Sequence, residues 1–155
     1  AKITSPRHLG IQGGSNGGLL MGNMTVMYPE LFRAVVCQVP LLDMLRYDKL
    51  LAGASWTGEY GDPDVPAEAA WLRRYSPYHN LNADADYPKV LFTTSTRDDR
   101  VHPGHARKMM ARMLKQGHDV LYYENMEGGH GGAADAGQAA FMSAIAWTFL
   151  WETLP

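Results

Sequence analysis

Residues 8–19 read His-Leu-Gly-Ile-Gln-Gly-Gly-Ser-Asn-Gly-Gly-Leu, and this stretch decides the fold. The run 8–12 predicts a short strand, and the glycines after it let the backbone turn back on itself. From residue 16 to about residue 28, apolar side chains recur at helical spacing until Pro29 ends the helix. A strand that leads through a tight turn into a helix is the unit from which parallel α/β sheets are built.

The same alternation continues along the chain. The apolar, β-branched run 32–39 predicts a strand buried on both faces. Further strands are predicted over 90–94 and 120–123, and helices over 105–116 and 133–151. Residues 40–88 are irregular, with two short helices predicted near 43–52 and 67–74. We therefore expect an α/β fold with about four mostly parallel strands flanked by helices.

Composition excludes several classes of function. The 155 residues suffice for a single domain with its own core. The 14 basic and 16 acidic residues give a net charge of −2, so no nucleic-acid partner is expected. Apolar stretches stop well short of the ~18 residues of a membrane span, so no membrane partner is expected either. No signal-peptide pattern is visible, which leaves a cytoplasmic or a periplasmic location open.

A G-x-S-x-G motif stands at 13–17, between the first predicted strand and helix. In this context the motif is typical of a strained turn that exposes the hydroxyl of Ser15. The following helix, which begins at Asn16, directs its N-terminal amides toward a developing oxyanion. The alternative is an ordinary glycine-rich turn with a capping serine.

Two further loops follow later strands and carry an acid and a histidine. Asp98 and Asp99 follow the strand at 90–94, and His130 stands between two pairs of glycines after the strand at 120–123. Ligands of such sheets sit beyond the carboxyl ends of the strands. The order Ser, acid, His is that of α/β-hydrolases. A solvated charged loop and a surface histidine are the alternatives for these two segments.

This constellation predicts a serine hydrolase. A serine hydroxyl is a weak nucleophile unless a base takes its proton, and an imidazole titrates near enough to neutrality to do so. The acid would then orient the imidazole. No metal and no cofactor is expected, because no clustered Cys, His and carboxylate spacing indicates one.

The chain resembles the C-terminal part of the catalytic domain of the prolyl oligopeptidase family. Matching stretches run in order through nearly the whole sequence: Gly-Gly-Ser-Asn-Gly-Gly-Leu-Leu at 13–20, Cys-Gln-Val at 37–39, Asp-Met-Leu at 43–45, Trp56, Glu-Tyr-Gly at 59–61, Tyr-Ser-Pro-Tyr-His-Asn at 75–80, Asp-Asp-Arg-Val at 98–101 and Gly-His-Gly at 129–131.

The resemblance implies a role for each matching residue. Ser15 would be the nucleophile, His130 the base and Asp98, the first of the two aspartates, the orienting acid. The backbone N–H of Asn16 would bind the oxyanion. Trp56 would stack on a substrate proline ring, and Tyr60 and Val101 would line the same pocket. Arg100 would donate a hydrogen bond to a substrate carbonyl. Leu41 stands in this pocket where the family often has a smaller branched residue, which would narrow it.

The resemblance also implies what residues 1–155 do not include. We expect a single, partial α/β-hydrolase domain without the β-propeller that screens entry in this family. The first half of the hydrolase sheet, with the loop whose tyrosine supplies a second oxyanion donor, has no counterpart here. The strand that leads to Ser15 would then be an exposed edge. Self-association, or a complementary chain that completes the sheet, is therefore expected.

Three functions stay open at this point. The first is a serine peptidase that cleaves short peptides after proline through an acyl-enzyme on Ser15. The second is a small carboxylesterase with the same triad, because an ester leaves more easily than an amide and tolerates a weaker oxyanion site. The third is a truncated domain that associates but catalyses nothing.

Overall fold

A computed structural model, which describes residues 3–155, contains one parallel sheet with four strands in the order β1–β2–β3–β4. The strands are β1 (Gly10–Gly14), β2 (Ala34–Gln38), β3 (Lys89–Ser95) and β4 (Val120–Asn125). The predicted α/β architecture of about four parallel strands is thereby confirmed. The first strand lies two residues further along than predicted, because residues 6–8 form a 3₁₀ turn and pairing begins only at Gly10.

Helices cover both faces of this sheet. These are α1 (Asn16–Met27), α4 (Gly104–Lys115) and α5 (Ala136–Thr153), whereas α2 (Thr57–Tyr60) and α3 (Pro66–Arg74) lie in the segment between β2 and β3. Met21 of α1 and Met109 of α4 pack on one face, while Ala146 and Phe149 of α5 pack on the other. Within residues 3–155, none of the helices combines the length and apolar character that a bilayer crossing needs.

The segment between β2 and α3 differs from the prediction of a helix near 43–52. It forms two 3₁₀ turns, Tyr47–Lys49 and Leu51–Trp56. The chain is too tightly folded for an α-helix there: Leu51 has φ +50°, and a Cβ on Gly53 would lie 1.7 Å from the carbonyl oxygen of Tyr47. The second predicted helix, near 67–74, corresponds to α3.

One edge of the sheet, that of β1, pairs with no strand among residues 3–155. Beside it, α5 exposes two tryptophans: Trp147 is 67% and Trp151 87% exposed. An apolar groove of about 870 Å³ lies between α5 and residues 8–10, with Leu150 and Leu154 in its lining. This edge has the character of a surface that is normally covered, because it exposes both unpaired backbone groups of β1 and large apolar side chains of α5.

Candidate active site

The turn from β1 to α1 holds Ser15 in a strained conformation. Its φ is +58° and its ψ −116°, a backbone region that non-glycine residues rarely adopt. Its N–H donates to the carbonyl of Gln38 at 2.9 Å, which fixes the turn to β2. The neighbouring glycines allow this packing, because a Cβ on Gly13 would lie 2.6 Å from the carbonyl oxygen of Gly17. The serine hydroxyl is thus presented at the carboxyl end of the sheet.

The loop between β4 and α5 brings His130 to the same place. Its Nε2 lies 3.0 Å from Ser15 Oγ, although 115 residues separate the two in the chain. The imidazole side chain is 24% exposed, so it is reachable from solvent while being held from behind. A hydrogen bond of this length allows direct proton transfer from the serine hydroxyl to the imidazole.

The carboxylate of Asp98 lies on the far side of this imidazole. His130 Nδ1 is 2.9 Å from Oδ2 and 3.1 Å from Oδ1. Oδ1 also accepts the backbone N–H groups of Arg100 at 2.9 Å and Val101 at 2.8 Å. The Asp98 side chain is fully buried, whereas Asp99 is exposed. Asp98, and not the exposed Asp99, is therefore the aspartate that contacts His130, a pairing that spacing alone left open.

A hydrophobic cluster adjoins the turn and contains most of the predicted substrate residues. Leu41 and Val101 are buried in it, and Trp56 and Tyr60 pack against it half-buried. The guanidinium carbon of Arg100 lies 6.0 Å from the centre of a Trp56 ring. Side chains from three separate segments of the chain thus form one apolar surface with a cation at its rim.

Asn16 is connected to this surface by its side chain. The hydroxyl of Tyr60 donates to Asn16 Oδ1 at 2.8 Å. Burial, followed by the charge of Glu59, raises the pKa of Tyr60, so the hydroxyl stays protonated and remains a donor. The first residue of α1 is therefore tied to the wall of the apolar surface.

Carboxylates that could share a cation occur away from this site. Asp48, Asp62 and Asp64 bring one oxygen each within 4.8 Å of one another. Lys49 Nζ lies 2.6 Å from Asp48 and 2.5 Å from Asp64, and these contacts raise the pKa of the ammonium. Lys49 thus already supplies the positive charge that this cluster requires.

Comparison with known proteins identifies the ancestry of this arrangement. A family model described as "Prolyl oligopeptidase family" matches residues 1–154. The chain belongs to this family. The resemblance seen in the sequence is thereby confirmed, and the sheet is part of the α/β-hydrolase domain of these peptidases.

Individual relatives support the same assignment. An uncharacterized peptidase of Sinorhizobium fredii is 53% identical over 153 residues, which make up 99% of this chain and 21% of that protein. The prolyl endopeptidase of Elizabethkingia miricola is 38% identical over 150 residues, 94% of this chain and 21% of that protein. The structure of a post-proline cleaving enzyme from Rickettsia typhi has a TM-score of 0.93 at 43% identity, covering 98% of this chain and 22% of that one. The chain thus spans about a fifth of its relatives' length.

Sequence reasoning missed the groups that hold the site together. The carbonyl of Gln38, which anchors Ser15, belongs to the backbone and leaves no mark on the sequence. The side chains of Asn125 and Gln138 bond to the His130 loop and were not singled out. Asn125 could have been found, because it lies two residues beyond the predicted strand at 120–123, in the segment that leads to His130.

Proposed function

We propose that the chain carries the catalytic centre of a serine peptidase that cleaves short peptides on the carboxyl side of proline. The observation that supports this most directly is the continuous hydrogen-bonded path from Ser15 Oγ through His130 to Asp98. Membership of the prolyl oligopeptidase family supports the reaction class. Post-proline specificity rests on the apolar surface beside the serine.

The proposed reaction proceeds in two halves. Ser15 Oγ attacks the peptide carbonyl while His130 Nε2 takes the hydroxyl proton, and the backbone N–H of Asn16 at the start of α1 binds the oxyanion. Collapse of the tetrahedral intermediate breaks the C–N bond, and His130 returns the proton to the leaving amine. Water then attacks the acyl-enzyme with His130 again as base. Asp98 stabilises the imidazolium in both halves.

The apolar surface suits a proline ring. We infer that the indole of Trp56 stacks on the ring, with Tyr60, Val101 and Leu41 closing the pocket around it. Proline has no N–H, so an apolar wall leaves no donor unsatisfied. Arg100, exposed at the rim, would donate to a substrate carbonyl. Leu41 is larger than the branched residue that the family often has here, so it narrows the pocket and favours a compact substrate residue at the cleaved position.

The first experiment tests the nucleophile. A fluorophosphonate probe labels serines that an adjacent base activates, so we expect labelling of the intact chain and none of Ser15→Ala. Absence of labelling in the intact, folded chain would contradict the proposal.

The second experiment tests specificity with paired tryptophan variants. Trp56→Ala should lower the preference for a proline amide over an alanine amide by about tenfold, because it removes the stacking face. Trp71 of α3, which is 62% exposed and lies outside the cluster, provides the control as Trp71→Ala. Equal loss in both variants would argue against a proline pocket at Trp56.

We further propose that a complementary segment completes the sheet at the β1 edge and covers Trp147 and Trp151. The relatives, of which this chain spans 21%, have ample additional length to provide such a segment. In its absence the same surface pairs two copies of the chain, since an open strand edge beside apolar side chains is adhesive.

Size-exclusion chromatography with light scattering tests this proposal at micromolar concentration. We expect a mass at least twice the 17.2 kDa of the monomer, and a shift toward the monomer in Trp147→Ser. Trp71→Ser, a similarly exposed tryptophan on α3, should leave the mass unchanged. A stable monomer of the unmodified chain would contradict the proposal.

The two other hypotheses, a carboxylesterase and an inert domain, gain no support from the relatives, which include prolyl endopeptidases. The ratio of kcat/KM for a proline amide and a p-nitrophenyl ester distinguishes the first from a peptidase. A large preference for the ester would count against peptidase activity.

A further inference from the structure

The loop that carries His130 has little backbone support of its own. It runs from residue 126 to residue 135 and contains four glycines, at 128, 129, 131 and 132. Within residues 126–134, all of which the structure describes, the backbone–backbone hydrogen bond is that from Gly132 N–H to the carbonyl of Gly129, at 2.9 Å. Each glycine adds conformational freedom to the unconstrained loop. Other groups must therefore keep His130 in place.

The first half of the loop is held by Asn125, the last residue of β4. Its side chain is buried, with the residue only 5% exposed. Oδ1 accepts the backbone N–H groups of Glu127 at 2.9 Å and Gly128 at 3.0 Å. Its Nδ2 donates to Gln138 Oε1 at 2.9 Å. Asn125 thus connects the start of the loop to a residue in the first turn of α5.

Gln138 joins the two ends of the loop. Its Oε1 accepts a second hydrogen bond, from the backbone N–H of Ala134 at 2.9 Å. Its Nε2 donates to Glu127 Oε2 at 2.8 Å. Its own backbone N–H donates to Asp135 Oδ1 at 2.8 Å, the N-cap bond of α5. One side chain therefore bonds to Asn125, Glu127 and Ala134, on both sides of His130.

We propose that Gln138 is a positioning residue that closes the 126–135 loop and so keeps His130 Nε2 within reach of Ser15 Oγ. This inference rests on the proposed function, because His130 must act as base for its position to matter. Removing the side chain breaks three hydrogen bonds at once and leaves Asn125 Nδ2 without its partner. The loop then samples open conformations in which the serine lacks its base, so the enzyme reacts only in the remaining closed fraction.

Three variants and a control separate this role from a general loss of stability. Gln138→Ala removes all three bonds. Q138E keeps the acceptor for Asn125 and Ala134 but places a carboxylate against Glu127. The double variant Q138E/E127Q restores that hydrogen bond with donor and acceptor exchanged. Lys115→Ala, the control, changes an exposed residue at the end of α4, outside both the loop and α5.

Two readouts follow the loop: the rate of fluorophosphonate labelling and the amide exchange of residues 126–134. We expect Gln138→Ala to label about ten- to a hundredfold more slowly, from the loss of three hydrogen bonds of ordinary strength. Its loop amides should exchange faster while those of β2 and β3 do not. Q138E should show the same defects at neutral pH, and Q138E/E127Q should recover most of the labelling rate.

Labelling of Gln138→Ala within about twofold of the unmodified chain, with an unchanged loop exchange pattern, would overturn the proposal while leaving the proposed function intact. If the unmodified chain itself fails to label, the proposed function fails, and amide exchange alone tests whether Gln138 closes the loop. Faster loop exchange in Gln138→Ala would then support closure by Gln138, and unchanged exchange would overturn it. If Gln138→Ala merely destabilised the whole domain, amides of the strands would exchange faster as well, which would overturn the proposal. A labelling rate of Q138E/E127Q no higher than that of Q138E would also overturn it.

Discussion

The substitution Asp98→Asn tests the triad without disturbing the loop that carries it. Oδ1 of Asp98 accepts two backbone N–H groups, from Arg100 and Val101, and an asparagine oxygen can take over both bonds. The amide nitrogen must then occupy the position of Oδ2, which faces His130 Nδ1 at 2.9 Å. The structure therefore fixes the orientation of the new side chain before any measurement.

In that orientation the amide donates to His130 Nδ1, so the neutral imidazole carries its proton on Nε2. Nε2 can no longer accept the hydroxyl proton of Ser15, and an amide does not stabilise an imidazolium as a carboxylate does. Loss of the correct tautomer in this kind of triad lowers turnover by about 10⁴-fold. We expect a loss of that order in the labelling rate, with little change in stability because the loop bonds persist.

The assay is the rate of fluorophosphonate labelling at neutral pH, with thermal unfolding measured on the same samples. Asp99→Asn, at the exposed neighbour, is the matched control and should label like the unmodified chain. A labelling rate for Asp98→Asn within tenfold of the unmodified chain would refute the assigned role of the carboxylate. A similar defect in Asp99→Asn would refute the choice between the two aspartates.

Three further predictions concern stability. Gly18→Ala should lower the free energy of unfolding by about 1–3 kcal/mol, because the new Cβ would lie 2.7 Å from Pro40. Gly17→Ala, whose Cβ would meet no atom within 4 Å, should be neutral or stabilising, and urea unfolding compares the two variants. Burial lowers the pKa of His105 to about 4, below its value of ~6.5 in the unfolded chain, so the unfolded chain binds the proton first. The free energy of unfolding should therefore fall by about 3 kcal/mol between neutral pH and pH 4. An unfolding free energy that does not change between these pH values would contradict the lowered pKa of His105. Lys108 pairs with Asp43, which is 1% exposed, while Lys108 itself is 36% exposed. Lys108→Met should therefore destabilise by about 1–3 kcal/mol, and an unchanged urea midpoint would contradict that.

The sheet and the position of the candidate site could be predicted because they depend on local patterns. The apolar run around Val36 is too short for a helix and rich in β-branched residues, which identifies a buried strand. The glycine-rich segment around Ser15, between a predicted strand and a predicted helix, indicates a tight turn. Because the strands are parallel, the loops that follow them all lie at the carboxyl end of the sheet, whatever the details of the helices.

The parts that could not be predicted depend on contacts between distant residues. The 3₁₀ turns at 47–56 follow from the close approach of Gly53 to the Tyr47 carbonyl, which no periodicity encodes. Spacing alone could not choose between Asp98 and Asp99; the resemblance implies Asp98, and in the structure it is Asp98 that contacts His130 Nδ1. The role of Gln138 depends on a loop whose two ends meet only in the folded state.

The strand order of the sheet matches the order of the chain, and this has a consequence for synthesis. His130, whose Nε2 lies 3.0 Å from Ser15 Oγ, is synthesised 115 residues after Ser15. A hydroxyl without that acceptor is barely more reactive than any other serine. On the proposed function, a nascent chain therefore gains an activated serine only after translation has passed the last strand and the sheet has formed.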